Sequence, residues 1–277
     1  MNGSSRSIAI KKNIIASLFL KGISILVSLQ VVPLTINYIN PTRYGIWLTL
    51  SSIVAWLSYF DLGFAHGFRN RFAEAVAKGD MQLAREYVST TYVVLSLLFS
   101  SVFLIAIVVN HFVDWSAILN VDAAYSSELN IVFGILAFFF CLNIVASIFT
   151  TMLTANQKPA LASLIQTLGQ VFGFICIYIL TKTVPGNLDV LAFAFSGVPC
   201  FLLIIISIGM FLSGRYRHLS PSFHFVHFSL TKKIVGLGGQ FFIIMISMLF
   251  VFQLINIVIS RVAGPMAVTC LLYTSPS

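Results

Sequence analysis

NYINPTRYGIWLTLSSIVAWLSYFDLGFAHGFRNRFAEAVAKGD, residues 37–80, decides how the chain is read. Pro41 opens a turn, an apolar span of membrane length follows, and Asp61 stands near the far end of that span. A basic, helix-forming stretch then runs to Lys78-Gly79. The pattern is that of a hairpin tip outside the membrane, a descending helix and a landing on the cytoplasmic side. Gly79 supplies a helix stop, and Asp80 is placed to cap a new helix beginning MQLAREYV. Between Phe68 and Ala77 the chain is either a solvated basic linker or a short helix on the membrane surface, its arginines near anionic headgroups.

Composition extends this reading outward. Of the 277 residues 58% are hydrophobic and only 9% charged, with a mean hydropathy of +0.98. A globular domain keeps about a quarter of its residues charged. The apolar residues fall in blocks long enough to cross a hydrocarbon core of about 30 Å, which takes about 20 helical residues. The expected spans are Asn13–Ile39, Gly45–Phe68, Thr91–Phe112, Leu129–Thr154, Pro159–Lys182, Val190–Leu212 and Val235–Ser260. The fold class is therefore all-α, a polytopic membrane bundle. The first block is too long for a signal-peptide core and is read as a retained helix.

The net charge of +8 does not point to nucleic acid, because the cations alternate between loops. With the N-terminus cytoplasmic, twelve lie inside: Arg6, Lys11 and Lys12; Arg69, Arg71, Lys78 and Arg85; Lys158; and Arg215, Arg217, Lys232 and Lys233. Only Arg43, Lys182 and Arg261 lie outside. The longest outer loop, residues 110–128, holds Asp114, Asp122 and Glu128 and no Lys or Arg. Tyr38, Tyr44, Trp47 and Trp115 fall near the same interface, where amphipathic rings are enriched. Cys141, Cys176 and Cys200 lie within spans and no CxxC pair exists, so they read as small hydrophobes rather than disulfide or zinc ligands.

Two features bear on domain organisation. Lys11-Lys12 opens a span ending at NPTRYG, and Lys232-Lys233 opens one ending at RVAGP. Such an echo suggests repeated halves, with residues 1–230 a first lobe of six helices and residues 231–269 the start of a second. The last eight residues, CLLYTSPS (270–277), resemble translated sequencing adapter and are expected to be a scar, the natural chain continuing past about Thr269.

Lys21 is the sharpest candidate for function. A charge inside a spanning helix costs roughly 2.5–3.5 kcal/mol on insertion scales. Ser17, Lys21, Ser24, Ser28 and Thr35 share one face of the first helix, a polar stripe expected to meet the bundle interior or a wet cavity. The alternative is an amine that snorkels about 12 Å to the cytoplasmic interface. Asp61 lies at a similar depth, about 22 Å below the outer surface, and could pair with Lys21 or cap a helix end. Ser163, Gln166, Gln170 and Gly173 share a face of the fifth span; Gly169 and Gly173 form a GxxxG best explained by close packing. Asn143, Gln240, Gln253 and Asn256 bond either to cargo hydroxyls or, in the simpler reading, to neighbouring helices. Pro33 and Pro199 are expected to kink their spans.

Catalytic patterns fail. Gly236-Leu-Gly-Gly239 lacks the strand–turn–helix setting of a phosphate loop. His218, His224 and His227 fall in one cytoplasmic loop with no nearby carboxylate and read as solvated. No HExxH or GxSxG occurs, and no metal or other cofactor is expected.

The segment with Pro41, Tyr44, Gly45 and Trp47, followed by Asp61-Leu62-Gly63 and a basic loop ending KGD, resembles the polysaccharide biosynthesis (O-antigen flippase) family of the multidrug/oligosaccharidyl-lipid/polysaccharide exporter superfamily. The resemblance runs to about Thr269. It implies one six-helix lobe of a two-lobe transporter plus the first helix of the other, in a bacterial inner membrane. It implies translocation of a polyprenyl-pyrophosphate-linked oligosaccharide, without covalent chemistry. Lys21, Arg69 and Arg71 would then attract the pyrophosphate, and Gln166, Gln170 and Gln240 would meet sugars. A coupling ion acting through Asp61 would drive the cycle. Implied partners are the lipid-linked oligosaccharide, membrane lipids and the polysaccharide assembly machinery. A multidrug exporter of the same superfamily is the alternative, although a lysine in the first helix favours anionic cargo. A membrane polymerase or acyltransferase is the alternative from another class, and it needs an outer loop or catalytic pair that is hard to find here.

Overall fold

The computed structural model describes residues 3–39, 41–55, 63–119, 122, 125–214, 216–236, 238–239, 243–244 and 247, with side chains from residue 13 onward except at 41, 42 and 55. In chain order the helices are α1 (Gly3–Ile39), α2 (Pro41–Ala55), α3 (Phe64–Ala77), α4 (Met81–Phe112) and α5 (Trp115–Leu119). Then come α6 (Ser126–Ala146), α7 (Ile148–Ala155), α8 (Pro159–Thr183), α9 (Leu188–Ala192) and α10 (Val198–Leu212). Among the described residues there is no strand. Asn13–Ile39, Met81–Phe112, Ser126–Ala155, Pro159–Thr183 and Leu188–Leu212 are long and apolar enough to cross a membrane. The chain is an all-α, multi-pass membrane protein.

Local chemistry sets the helix ends. At the close of α3 the Gly79 N–H donates to Val76 O (3.1 Å) and the Asp80 N–H to Ala75 O (3.0 Å), Gly79 taking a positive φ of 76°. The Asp80 carboxylate then accepts from Leu83 N at 2.9 Å and starts α4, as its position after Lys78-Gly79 predicts. Pro159 occupies the first turn of α8, where a missing N–H costs nothing.

One expectation about the spans needs correction. The second span does not run unbroken to Phe68, because Gly63 adopts φ 73°, a left-handed turn, and α3 begins at Phe64. Pro199 lies inside the Leu188–Leu212 span, as expected, at a break in its regular α-helix. A π-turn at Phe193–Gly197 precedes it and Pro199 falls in the first turn of α10. The wider turn frees the carbonyl that the proline ring would otherwise strike. Residues 228–236 are helical. The remainder of the expected seventh span, the proposed repeat and the adapter-like tail lie outside the described residues, apart from the few residues stated above.

Packing gathers into two clusters. One joins Phe64, Phe68 and Phe72 of α3 to Phe99 of α4, Phe149 of α7 and Tyr216. This is the end of the bundle to which the basic loops belong. The other joins Ile39, Trp47 and Leu50 to Leu129 and Leu136 of α6 and Leu188 of α9, at the end bearing Asp114 and Glu128. Since lipid is as apolar as these side chains, close fit rather than escape from water holds them. The GxxxG of α8 works in this way: Cβ atoms at Gly169 and Gly173 would lie 3.2 and 3.5 Å from Pro199 of α10.

Candidate functional site: a polar seam and its cavity

Helices α1 and α8 lie side by side and parallel. Asn13 meets Gln157, Thr167 meets Leu20, Ser24 meets Gln170 and Tyr38 meets Pro185, at sequence separations of 144, 147, 146 and 147. That constant offset brings the two polar stripes together. The Ser24 hydroxyl donates to Gln170 Oε1, and Thr167 Oγ1 donates to the Leu20 carbonyl at 3.4 Å. Ser17 Oγ is buried in the same interface with no hydrogen-bond partner among the described residues. Lys21 is exposed, at the edge of the seam rather than beneath it, and the register sets it level with Thr167 and Leu168; Gln166, the next residue toward the basic end, is also exposed.

About 10 Å further along α1 by helical rise, the seam opens into a cavity of about 340 Å³. Ser28, Thr35 and Gln170 supply its polar wall; Tyr44, Trp47 and Phe195 are among its aromatic lining. Thr35 is buried and donates to the Val31 carbonyl at 2.7 Å. Trp47 and Phe195 meet edge to face, with ring centroids 5.3 Å apart. These two rings and Pro199 also line a second cavity, of about 240 Å³, that holds Ser51 and Asn143. The ring pair is thus a partition between two chambers. Trp47 and Trp115, expected near the outer interface, are both buried, Trp115 stacked on Phe133 at 4.7 Å and donating to Asn110 Oδ1 at 2.6 Å. The spacing of Tyr44, Trp47 and Leu48 on one helical face could have signalled the cavity wall.

At the basic end, Arg69 is exposed on α3. Arg71 pairs with Glu74 at 3.0 Å, and its Nε donates to the Lys233 carbonyl at 3.4 Å. Lys78 holds the other oxygen of Glu74 at 2.7 Å. The Lys78 bond first, and the Arg71 bond next, keep the Glu74 carboxyl below its ordinary range. The loop after α10 is strapped onto α4 rather than free. Arg85 donates to the Ser220 carbonyl (2.9 Å) and lies over the Phe225 ring; Ser89 Oγ and Thr90 Oγ1 accept from Ser222 N and His227 N (3.1 and 3.0 Å). His218, His224 and His227 are exposed as expected, but a carboxylate is close to one of them, Glu86 lying 3.8 Å from His227. Chain separation hid that neighbour.

The opposite end is tied by Arg43, which donates to the Gly186 carbonyl at 3.0 Å and pairs with Glu128 at 3.6 Å. Asp61, Gln240, Gln253 and Asn256 lie outside the described residues, and with them the Lys21–Asp61 pair. Among the described residues no group of three His, Cys, Asp or Glu side chains could hold a metal ion. Cys141 and Cys200 are buried.

No curated protein and no solved structure matches the chain. A family model described as polysaccharide biosynthesis protein does match, over residues 10–272, and the chain belongs to that family.

Proposed function

We propose that the chain serves the passage of a polyprenyl-pyrophosphate-linked oligosaccharide from the cytoplasmic to the outer leaflet of a bacterial inner membrane. The observation that carries this reading is the Ser24–Gln170 contact, which makes one polar seam of two stripes and leads it into a chamber. Family membership supports a role in polysaccharide biosynthesis. The N-terminus and the basic end face the cytoplasm, in keeping with the twelve cations of the inner loops. Residues 1–230 form a first lobe, and residues 231–269 begin a second.

The cargo is an anionic head with many hydroxyls on a lipid tail. Lys21, at the edge of the seam, meets the pyrophosphate with a charge-assisted hydrogen bond, worth about 1.5–3 kcal/mol. That is comparable to the roughly 2.5–3.5 kcal/mol cost of keeping the amine in the bilayer. Arg69 and Arg71 raise the local concentration of anions at the mouth. Gln166, Gln170 and, in the other lobe, Gln240 exchange hydrogen bonds with sugar hydroxyls. Asp61 carries a coupling ion. Only binding and reorientation are required, so the role is transport rather than catalysis, alongside the polysaccharide assembly machinery.

The test is reconstitution in proteoliposomes with a lipid-linked oligosaccharide, scored by its appearance in the opposite leaflet. Lys21→Ala is expected to lower the rate by about ten-fold, roughly the 1.4 kcal/mol step of one lost contact, and Lys21→Arg to restore it. Movement of cationic dyes but not of the lipid-linked glycan would favour the multidrug alternative.

A further inference from the structure

A third pocket, of about 330 Å³, lies at the basic end between α3, the start of α4 and the helix over residues 228–236. Arg71, Lys78 and Lys233 line it, facing a single carboxylate, Glu74. Tyr87, only 4% exposed, completes the wall, and its hydroxyl has no hydrogen-bond partner among the described residues. Glu74 answers two of the three cations, at 3.0 and 2.7 Å. The Lys233 ammonium has no carboxylate partner among the described residues, although its carbonyl is held by Arg71.

Ion pairs one turn apart are common on exposed helices and contribute little. Here they line a concave site that three chain segments build, with cations in excess and a tyrosine hydroxyl unspent. We propose that this pocket binds a phosphate group, with Glu74 as the resident anion that the phosphate displaces. A phosphate offers three oxygens where the carboxylate offers two, so it can engage Arg71 and Lys78 together while reaching Lys233 and the Tyr87 hydroxyl. Its source is either an anionic lipid headgroup or a soluble phosphate, since both present the same group at this level of the membrane. The site shares Arg71 with the translocation reading and rests on it for the anion-attracting role of that residue, but not on any movement of cargo.

The test uses the full chain in phosphatidylcholine nanodiscs. Inorganic pyrophosphate is titrated by calorimetry, and in parallel discs a rising fraction of phosphatidylglycerol is followed by native mass spectrometry. Glu74→Gln is expected to bind about ten-fold more tightly, because the competing charge is gone. Lys78→Gln and Lys233→Gln are each expected to bind about ten-fold more weakly, and Tyr87→Phe a few-fold more weakly. Lys232→Gln, which removes the same charge beside the pocket without lining it, should change nothing. Response to pyrophosphate alone identifies a soluble ligand, and response to phosphatidylglycerol identifies a headgroup; either supports the site. The proposal is overturned if neither probe binds the Glu74→Gln protein, if that substitution fails to tighten binding, or if Lys232→Gln weakens binding as much as Lys233→Gln. Because no translocation is measured, these outcomes stand apart from success or failure of the flipping assay.

Discussion

Helix α1 and the α6–α7 pair are both of membrane length, but they are held in opposite ways. None of the most apolar window of α1 is buried, against 44% of the Ser126–Ala155 window. The α6–α7 pair is fixed by shape: Phe139 meets Phe193 and Phe201, and Phe149 meets Phe211 and Tyr216, all at 5–6 Å. Along α1 the described side-chain hydrogen bonds to α8 and the turn before it follow a polar stripe instead. In lipid an apolar face can be content with acyl chains, so an apolar helix needs fit, while a polar stripe needs a partner or water. The contrast separates residues that hold the bundle by shape from those that form the polar seam.

That separation can be broken most severely on the shape-held side. Phe149→Ala should cost about 3–5 kcal/mol, the usual range for deleting a buried ring, measured as lost thermal stability in detergent. Next, Gly197→Ala would place a Cβ 2.9 Å from the Phe139 ring; a loss of about 1–3 kcal/mol is expected, recovered in part by Phe139→Leu. On α1 the order inverts. Lys21→Ala should leave stability within about 0.5 kcal/mol, as for other exposed positions, while cargo movement falls. A double-mutant cycle on Ser24→Ala and Gln170→Ala should return a coupling of about 0.6 kcal/mol, typical of hydrogen bonds between membrane helices.

The smallest effect is in pH. Glu74 is held below its ordinary 4.5 by Lys78 and then Arg71, and Asp114 below 3.8 by the Ser116 hydroxyl and the backbone of α5. A lowered carboxylate pKa stabilises the fold above the unfolded value and is lost as pH falls through the folded one. The melting temperature should therefore be flat above about pH 5 and decline slightly below pH 4, less so in Glu74→Gln.

Much of this was written in local pattern. Asp80 after Lys78-Gly79 announced a stop and a cap, and both are present. Each polar stripe was legible from spacings of three and four, and Gly169 with Gly173 announced a close crossing. What spacing could not supply was the partner. That Ser24 would meet Gln170, or Thr90 take His227, depends on contacts more than a hundred residues apart, where any of several helices would have served. The cover over Trp47 was hidden for the same reason, because a place near an interface says nothing of whether Phe195 will pack on the ring. Gly63 misled differently. Its left-handed φ goes with a crossing so close that a Cβ there would strike the Gly238 carbonyl, a neighbour not visible in DLGF.

The central claim is that the α1 stripe borders water while the rest of that helix borders lipid, and thiol labelling tests it most directly. In a background with the native cysteines replaced by alanine, Ser28→Cys and Leu29→Cys would be compared for reaction with a membrane-impermeant maleimide in intact proteoliposomes. Ser28 lines the cavity and Leu29 is 65% exposed on the apolar side. Labelling at least about ten-fold faster at 28 than at 29 is predicted, since maleimide requires a hydrated thiolate. Equal protection of both positions would mean that the seam is dry, and the transport reading built on it would fall.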